Sequence, residues 1–240
     1  MEWDGFILQG DLGYGGLSLD LLEWKVPTTG GRPPASPFEA GFHRLVVSVP
    51  DLSATLATLE AHGSAVIGRC SDPEPRALVT DPDGVPVELV QGNDLRIERV
   101  VVNCRDLETS LAYYRDVMGL TVTSGPRAVD GLAALFGMDE PVEAAAARCA
   151  DPGSVFEVEL VHYALPAMTG PIERQAHHRG LFRMAWSTDD CARDEAAIRA
   201  AGSRPFAPTG ELSVGDHLPL LLVLFWPGPD GECLELIQVT

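Results

Sequence analysis

The stretch Asp81-Pro-Asp-Gly, followed by Val87-Glu-Leu-Val, decides the fold, because variants of it return later in the chain. In each copy, a turn rich in Asp, Pro and Gly leads into an apolar strand that carries one acid. Later copies begin at Asp151 and Gly228, and a degenerate copy occupies residues 15–21. The acids of the four copies are about 70 residues apart, a period typical of tandem supersecondary units. They are Asp20, Glu88, Glu159 and Glu235.

Length and composition restrict the class of protein. The 240 residues suffice for one large or two ordinary domains. No apolar run reaches the ~18 residues of a membrane span, and no charged-then-apolar leader is present, so we expect a soluble cytoplasmic protein with no membrane partner. The net charge of -18 argues against a nucleic-acid partner, whose phosphates require a basic surface. The five cysteines lack CxxC spacing and are predicted to be reduced core residues.

Hydrophobic patterns predict a strand, a helix and then three strands in each unit. In the second unit, an apolar strand at 42–49 precedes a helix that begins after the N-cap residue Asp51 and ends at Gly63. The alanine-rich stretch 143–148 has helical propensity, but its place in the repeat predicts a strand. The predicted modules are a partial one at 1–27 and further ones at 42–92, 97–163 and 180–240.

Two kinds of stretch carry a family resemblance. Phe42-His-Arg-Leu-Val-Val-Ser-Val-Pro-Asp-Leu and the stretch from Arg99 to Leu120 resemble module starts of the vicinal oxygen chelate superfamily, and the Asp-Pro-Asp-Gly…Glu-Leu strands resemble its module ends. That superfamily includes glyoxalase I, extradiol dioxygenases, fosfomycin-resistance transferases and bleomycin-resistance binding proteins. The resemblance implies an α+β fold, in which tandem βαβββ modules pair into cupped mixed sheets with helices on the outside. We expect an N-terminal pair at 1–92 and a C-terminal pair at 97–240.

Strand alternation predicts which side chains face the cups. Successive strand side chains point to opposite faces, so the acid of each last strand faces inward while its apolar neighbours pack outward. In the first module, the leucines at odd positions of 17–21 are then expected to pack under helices, while Asp20 and Trp24 face the cavity. For the first strands, the resemblance supplies the register. It puts His43, Arg99 and Arg183 in the position of the family's metal ligands.

The C-terminal cup is predicted to bring Arg99, Glu159, Arg183 and Glu235 together. Extradiol dioxygenases need two histidines and a glutamate here, but a guanidinium has no lone pair for a metal. The arginines are therefore expected to pair with the glutamates. Two roles stay open: the ion pairs stabilise the fold, or the arginines hold an enolate or carboxylate of a ligand.

The N-terminal cup is predicted to bring Asp20, His43 and Glu88 together. One imidazole and two carboxylates would suit one divalent metal, either iron, manganese or zinc. Without a metal, His43 beside Glu88 would serve as a general base. The cofactor is thus one divalent metal or none.

Four further residues are predicted to contact a small-molecule ligand or substrate: Trp24, Asn103, Ser187 and His217. Asn103 and Ser187 follow the ligand positions on the same strand faces, and His217 lies in a loop beside Asp216. The partial first module would leave a sheet edge open, which makes a homodimer one expected assembly.

Three functions compete. The first is an enzyme of secondary metabolism, an isomerase, lyase or ring-forming enzyme acting on a small oxygenated molecule without the usual metal. Its candidate catalytic residues are His43, Glu88, Arg99, Glu159, Arg183 and Glu235. The second is a bleomycin-resistance-like protein that sequesters an antibiotic, and the third is a metal-dependent dioxygenase or glyoxalase-like enzyme of the N-terminal cup. We favour the first, because polar groups point into both cups.

Overall fold

The computed structural model describes residues 1–9, 17–170, 174–213 and 219–240. The first module supplies two antiparallel strands, β1 (Glu2–Gln9) and β2 (Ser18–Val26). The second module consists of β3 (Gly41–Val49), α1 (Leu52–Ala61), β4 (Val66–Cys70), β5 (Arg76–Thr80) and β6 (Pro86–Gln91).

The later modules follow the same plan, and the third adds the short helix α3. The third consists of β7 (Arg96–Asn103), α2 (Leu107–Asp116), β8 (Thr121–Ala128), α3 (Leu132–Leu135), β9 (Glu143–Ala150) and β10 (Glu157–Leu165). The fourth consists of β11 (Arg183–Ser187), α4 (Cys191–Ala200), β12 (Gly210–Leu212), β13 (Leu221–Pro227) and β14 (Cys233–Val239). The alanine-rich stretch is a strand, as the repeat predicted, and the α+β fold of cupped mixed sheets is confirmed.

Each module helix is bounded by the same local signals. An aspartate side chain accepts a hydrogen bond from the backbone N–H three residues later, at 2.9 Å from Ala54 to Asp51 in α1. Asp106 and Asp190 cap α2 and α4 in the same way. A glycine with positive φ follows each helix at 63, 119 and 202, where a side chain would be strained. Among the described residues, no helix is long and apolar enough to cross a membrane.

The modules do not pair as expected. β3 and β7 are hydrogen-bonded antiparallel, so the second and third modules share one eight-stranded sheet of order β4-β5-β6-β3-β7-β10-β9-β8. The fourth module forms a separate sheet of order β11-β14-β13-β12. The expected pairing of the first module with the second, and of the third with the fourth, is therefore wrong. We call the concave face of the eight-stranded sheet the first cup, and the face of the four-stranded sheet that carries Glu235 the second cup.

The connections explain this pairing. The four residues 92–95 join β6 to β7, so β7 begins close to the end of β6, whereas the breaker-rich linkers before β3 and before β11 are longer. These two linkers run beside each other, with parallel bridges from Gly30 to His178 and from Glu39 to Thr169. They lead the first and fourth modules to the same place, where Asp20 of β2 lies 3.4 Å from Arg183 of β11.

The main core lies between the two sheets. Its members come from the convex face of the eight-stranded sheet, from α2 and α4, and from the outer face of the four-stranded sheet. Trp226 is fully buried there and donates a hydrogen bond to the Tyr113 hydroxyl at 2.7 Å. All five cysteines are free and buried, in agreement with the sequence analysis.

The β1–β2 ribbon is the least covered part of the fold. Leu21 is 46% exposed and Leu17 is 40% exposed, so the expectation that these leucines pack under helices is wrong. Phe6, the partner of Leu21 across the ribbon, is also exposed. Within the described ranges, no helix covers this face. The homodimer suggested by an open edge stays a prediction.

Candidate functional site

The first cup contains a buried ion pair that the sequence analysis missed. The Arg44 Nε donates to Glu88 Oε2 at 2.7 Å, and both side chains are almost fully buried. Arg76 contacts the other oxygen of Glu88 at 3.3 Å. Glu88 pairs with Val46 on β3, and Arg44 lies two residues before Val46 on the same strand face, whereas His43 lies at the register shift of β3 against β7, between Phe42 and Arg44.

His43 lies in this cup in a different role from the one expected. Its Nδ1 is 3.3 Å from Nη1 of Arg44, and its ring meets the Phe136 ring edge-on. Burial lowers the pKa of His43 well below its usual range, and the positive charges of Arg44 and Arg174 add to the effect. The imidazole is therefore neutral and is separated from Glu88 by a guanidinium.

A second buried carboxylate in the first cup is held by arginines on both sides. Arg99 Nε donates to Glu159 at 3.1 Å, and Arg148 Nε donates to its other oxygen at 2.9 Å. Burial alone would raise the pKa of Glu159, but Arg99, Arg148 and Arg44 outweigh it and hold the pKa below its usual value. The predicted Arg99–Glu159 pair is present, and Glu159 is a satisfied anion.

The rest of the first cup is filled with apolar side chains. Leu132, Leu135 and Phe136, from α3 and the residue after it, pack against Phe38 and the strand residues of the concave face. Gly68 permits this, because a Cβ there would collide with the backbone oxygens of α3. The cup is thus part of the protein core.

The residues of the first cup do not fit the divalent metal that the superfamily implies. The two glutamates are engaged by arginines, which offer no lone pair. Asp20, the third expected ligand beside His43 and Glu88, lies instead at the second cup, because the first module meets the fourth. The described part of the chain contains no cluster of three His, Cys, Asp or Glu side chains able to hold a metal.

The second cup contains the equivalent arginine–glutamate pair, Arg183 and Glu235, in a different environment. Arg183 Nε lies 2.5 Å from Glu235 Oε2, and Arg183 Nη2 lies 3.4 Å from Asp20. Arg183 is the ionic partner of Oε2 among the described residues. Burial raises the pKa of Glu235 to about 7, although the charge of Arg183 opposes the shift.

The strand face around Glu235 is partly open. Glu235 is 1% exposed, but Ala185, its neighbour on β11, is exposed, and so is Ser187. Phe225 flanks Glu235 on β13 and is half-buried. A proton-accepting carboxyl therefore lies at the base of a face that solvent reaches. A metal does not fit this set either, because both carboxylates contact Arg183, whose guanidinium offers no lone pair.

The predicted ligand-contacting residues are dispersed. Asn103 is fully buried, and its side-chain amide donates to the backbone oxygens of Pro37 and Glu39, which fixes the linker. Trp24 is half-buried, and its ring lies 5.3 Å from that of Trp3. His217 lies outside the described residues. Ser187 is exposed on the open face of the second cup.

The arginines that sequence reasoning missed had one available signal. Arg44, Arg76 and Arg148 each belong to an otherwise apolar or alanine-rich strand. A long cation in such a strand requires a buried acid nearby. The inward-facing glutamates of the last strands are such acids, but only the strand register shows which arginine pairs with which glutamate.

Known proteins share this architecture. The family model described as Glyoxalase/Bleomycin resistance protein/Dioxygenase superfamily matches residues 96–210. Glyoxalase I from Zea mays is similar to 98% of this chain over 79% of its own, with 17% identity and a TM-score of 0.70. A putative dioxygenase from Bacillus subtilis is similar to 88% of this chain over 64% of its own, with 15% identity and a TM-score of 0.50.

At these identities the two structures show the fold alone. No curated protein sequence matches the chain. The family match covers the third module and part of the fourth, and the fold likeness extends over 98% of the chain. Residues 96–210 thus form a domain of the Glyoxalase/Bleomycin resistance protein/Dioxygenase superfamily, which is the vicinal oxygen chelate superfamily.

Proposed function

We propose that the chain is an acid–base enzyme of the isomerase or lyase type, acting on a small oxygenated molecule in the second cup without a divalent metal. One observation carries this proposal: Glu235 is buried and its pKa is raised to about 7, whereas the corresponding Glu159 is a stable anion. A carboxyl with a pKa near the working pH is the group that general acid–base catalysis requires.

The arrangement supports a specific division of labour. Glu235, in its ionised form, would accept a proton from a carbon next to a carbonyl. The Arg183 guanidinium, which is permanently charged, would hold the oxygen on which negative charge develops. Returning the proton to a neighbouring atom gives isomerisation, and expelling a leaving group gives elimination.

Asp20 would act as a positioning residue for Arg183. Its carboxylate reaches the guanidinium from the ribbon, with Oδ2 lying 3.4 Å from Nη2 of Arg183. We propose that the residues of the first cup, including His43, Glu88, Arg99 and Glu159, stabilise the fold and take no part in the reaction.

Solvent exchange tests this proposal without knowledge of the substrate. A panel of small 2-oxo acids and 2-hydroxy ketones, from pyruvate upward in size, is incubated in D₂O, and loss of the proton next to the carbonyl is followed by NMR. We expect exchange to be accelerated by the protein, and Glu235→Gln to slow it by about 100- to 10,000-fold. Glu211→Gln, an exposed acid of the same sheet, is the matched control and should retain the rate.

The substitution Arg183→Gln separates the two roles. It should slow exchange while leaving an ionisable carboxyl at 235, so a residual rate that rises with pH is expected. Exchange by the unaltered protein no faster than by Glu235→Gln, across the whole panel, would contradict the proposed function.

A further inference from the structure

A cavity of about 220 Å³ lies at the joint between the two sheets. Its walls come from the starts of β3, β11 and β14, and from the loops that precede β11 and β12. The side chains that matter here are Phe42, Arg174, Phe182, Phe206, Glu232 and Cys233. None of them was predicted as a site residue.

The walls are mainly apolar and aromatic. Phe42 is buried, Phe182 is half-buried and Phe206 is exposed at the rim. Three phenylalanines around one space favour a flat or branched apolar group, since rings pack well at an angle or offset to one another. The volume is below the ~300 Å³ of the smallest usual ligand pockets, which restricts the guest to about ten non-hydrogen atoms.

Arg174 gives the cavity a cation. Among the described residues, its guanidinium donates one hydrogen bond, from Nη1 to the backbone oxygen of Arg179 at 3.3 Å. A guanidinium has five N–H donors, so it can still serve an anion. Burial lowers the pKa of Arg174 from its usual value, Glu39 opposes this, and the charge of Arg32 adds to it. A desolvated cation of this kind gains from an anionic ligand.

Glu232 does not cancel that charge. One of its oxygens accepts from the Tyr114 hydroxyl at 2.7 Å, and the other accepts from the backbone N–H of Asp230 at 2.9 Å. Burial raises the pKa of Glu232 to about 7, which reduces its negative charge near neutral pH. The carboxyl is a fixed part of the wall, with its oxygens occupied by the protein.

The cavity adjoins the second cup. Cys233 lines it, and Cys233 is the strand partner of Arg183. Glu235 lies two residues further on the same face of β14, about 7 Å along the strand. A molecule in the cavity would therefore have one end within reach of the Arg183–Glu235 pair.

We infer that this cavity is the recognition pocket of the Glu235 site, and that it takes a small carboxylic acid whose body is aromatic or branched and whose carboxylate pairs with Arg174. The link to turnover rests on the proposed function, whereas the binding itself does not.

Calorimetric titration with benzoate and with benzamide tests the binding. The two probes have nearly the same shape, and only benzoate carries a charge. We expect benzoate to bind with a dissociation constant of about 1 mM, and benzamide to bind at least about tenfold more weakly. Arg174→Gln should lower benzoate affinity to that of benzamide, and Phe206→Ala, at an exposed position, should weaken both probes alike.

Two controls make the outcomes distinct. Arg179→Gln removes an exposed arginine of the same linker, which pairs with Asp83, and should leave benzoate binding unchanged. Glu235→Gln should also retain benzoate binding, so a failure of turnover does not affect this test. Equal affinity for the two probes, an Arg174→Gln variant that binds benzoate normally, or no binding up to about 10 mM would overturn the inference.

Discussion

Arg99–Glu159 in the first cup and Arg183–Glu235 in the second occupy the same position in successive modules, yet their carboxyls behave in opposite ways. Burial favours the neutral form in both. Glu159 has two further arginines, Arg148 and Arg44, close enough to keep it ionised, whereas Arg183 faces Glu235 alone and also contacts Asp20. The repeat thus fixes the position of the acid, and the number of nearby cations fixes its protonation state.

The two cups also differ in packing, because the first is filled with side chains and the second is partly open. The third module inserts α3, and this helix and the residue after it fill the first cup with Leu132, Leu135 and Phe136. Residues of the second cup such as Ala185 and Ser187 are exposed. One copy of the repeat has become core, and the other keeps an open face with a titratable carboxyl.

The largest effect is expected where a buried charge loses its partner in the first cup. Arg44→Met should lower the free energy of unfolding by about 3–5 kcal/mol, because Glu88 would remain buried with weaker compensation. Urea denaturation at neutral pH measures this. Arg96→Met, at an exposed pair with Asp94, should change the free energy by about 1 kcal/mol or less. If the two variants lower the free energy of unfolding by similar amounts, the buried pair stabilises the fold no more than the exposed pair does.

The pH dependence of stability should separate the two glutamates. The folded-state pKa of Glu235, about 7, lies above its ordinary value of 4.5. Its contribution to stability is therefore present below pH 4.5 and is lost as the pH rises through about 7. The loss amounts to at most about 3 kcal/mol. Glu232, whose pKa is also raised to about 7, adds a slope of the same sign.

Urea denaturation at several pH values between about 5 and 8 measures this slope. Glu235→Gln should flatten it, and Glu211→Gln should not. Glu159, with a lowered pKa, contributes stability above its ordinary pKa and loses it only in acid. An unchanged slope in Glu235→Gln would mean that Glu235 titrates normally.

A smaller effect is expected when the arginine of the second cup is removed. Arg183→Met should cost about 1 kcal/mol or less at neutral pH, because Arg183 is partly exposed and Glu235 can take up a proton instead. The same denaturation experiment measures it beside Arg44→Met. A loss as large as that of Arg44→Met would contradict the difference between the cups.

The smallest effect is expected on the ribbon. Leu21→Ser should change the free energy of unfolding by less than about 0.5 kcal/mol, since Leu21 is exposed. Leu56→Ala, under the covered face of α1, should cost about 2–5 kcal/mol. If Leu21→Ser greatly lowers the free energy of unfolding, or changes the size of the assembly, another surface covers this face.

The sequence predicted the elements better than their partners. Asp51, Gly63 and the period of the inward acids are local signals, and they located helices and strands within a few residues. Alternation identifies the face of a side chain but not the neighbouring strand, so the pairing of modules was missed. The shift between Phe42 and Arg44 in β3 is a property of its pairing with β7, and no pattern along β3 indicates it.

The site residues show the same difference between local placement, which the sequence predicts, and the contacts between modules, which it does not. Arg183 and Glu235 were correctly expected to lie together, because each is placed by the repeat within one module. Asp20 was assigned to the wrong cup, because its location depends on how distant modules meet. The four-residue helix α3 is too short for a periodic signal, so the filling of the first cup could not be anticipated.

The most direct test is a ¹³C NMR titration of the glutamate side chains, with Glu235 and Glu159 assigned from the variants Glu235→Gln and Glu159→Gln. We predict that Glu235 titrates near pH 7 and that Glu159 titrates below 4.5, its ordinary value. If both carboxyls titrate together near 4.5, the second cup has no specialised acid, and the account of its function is wrong.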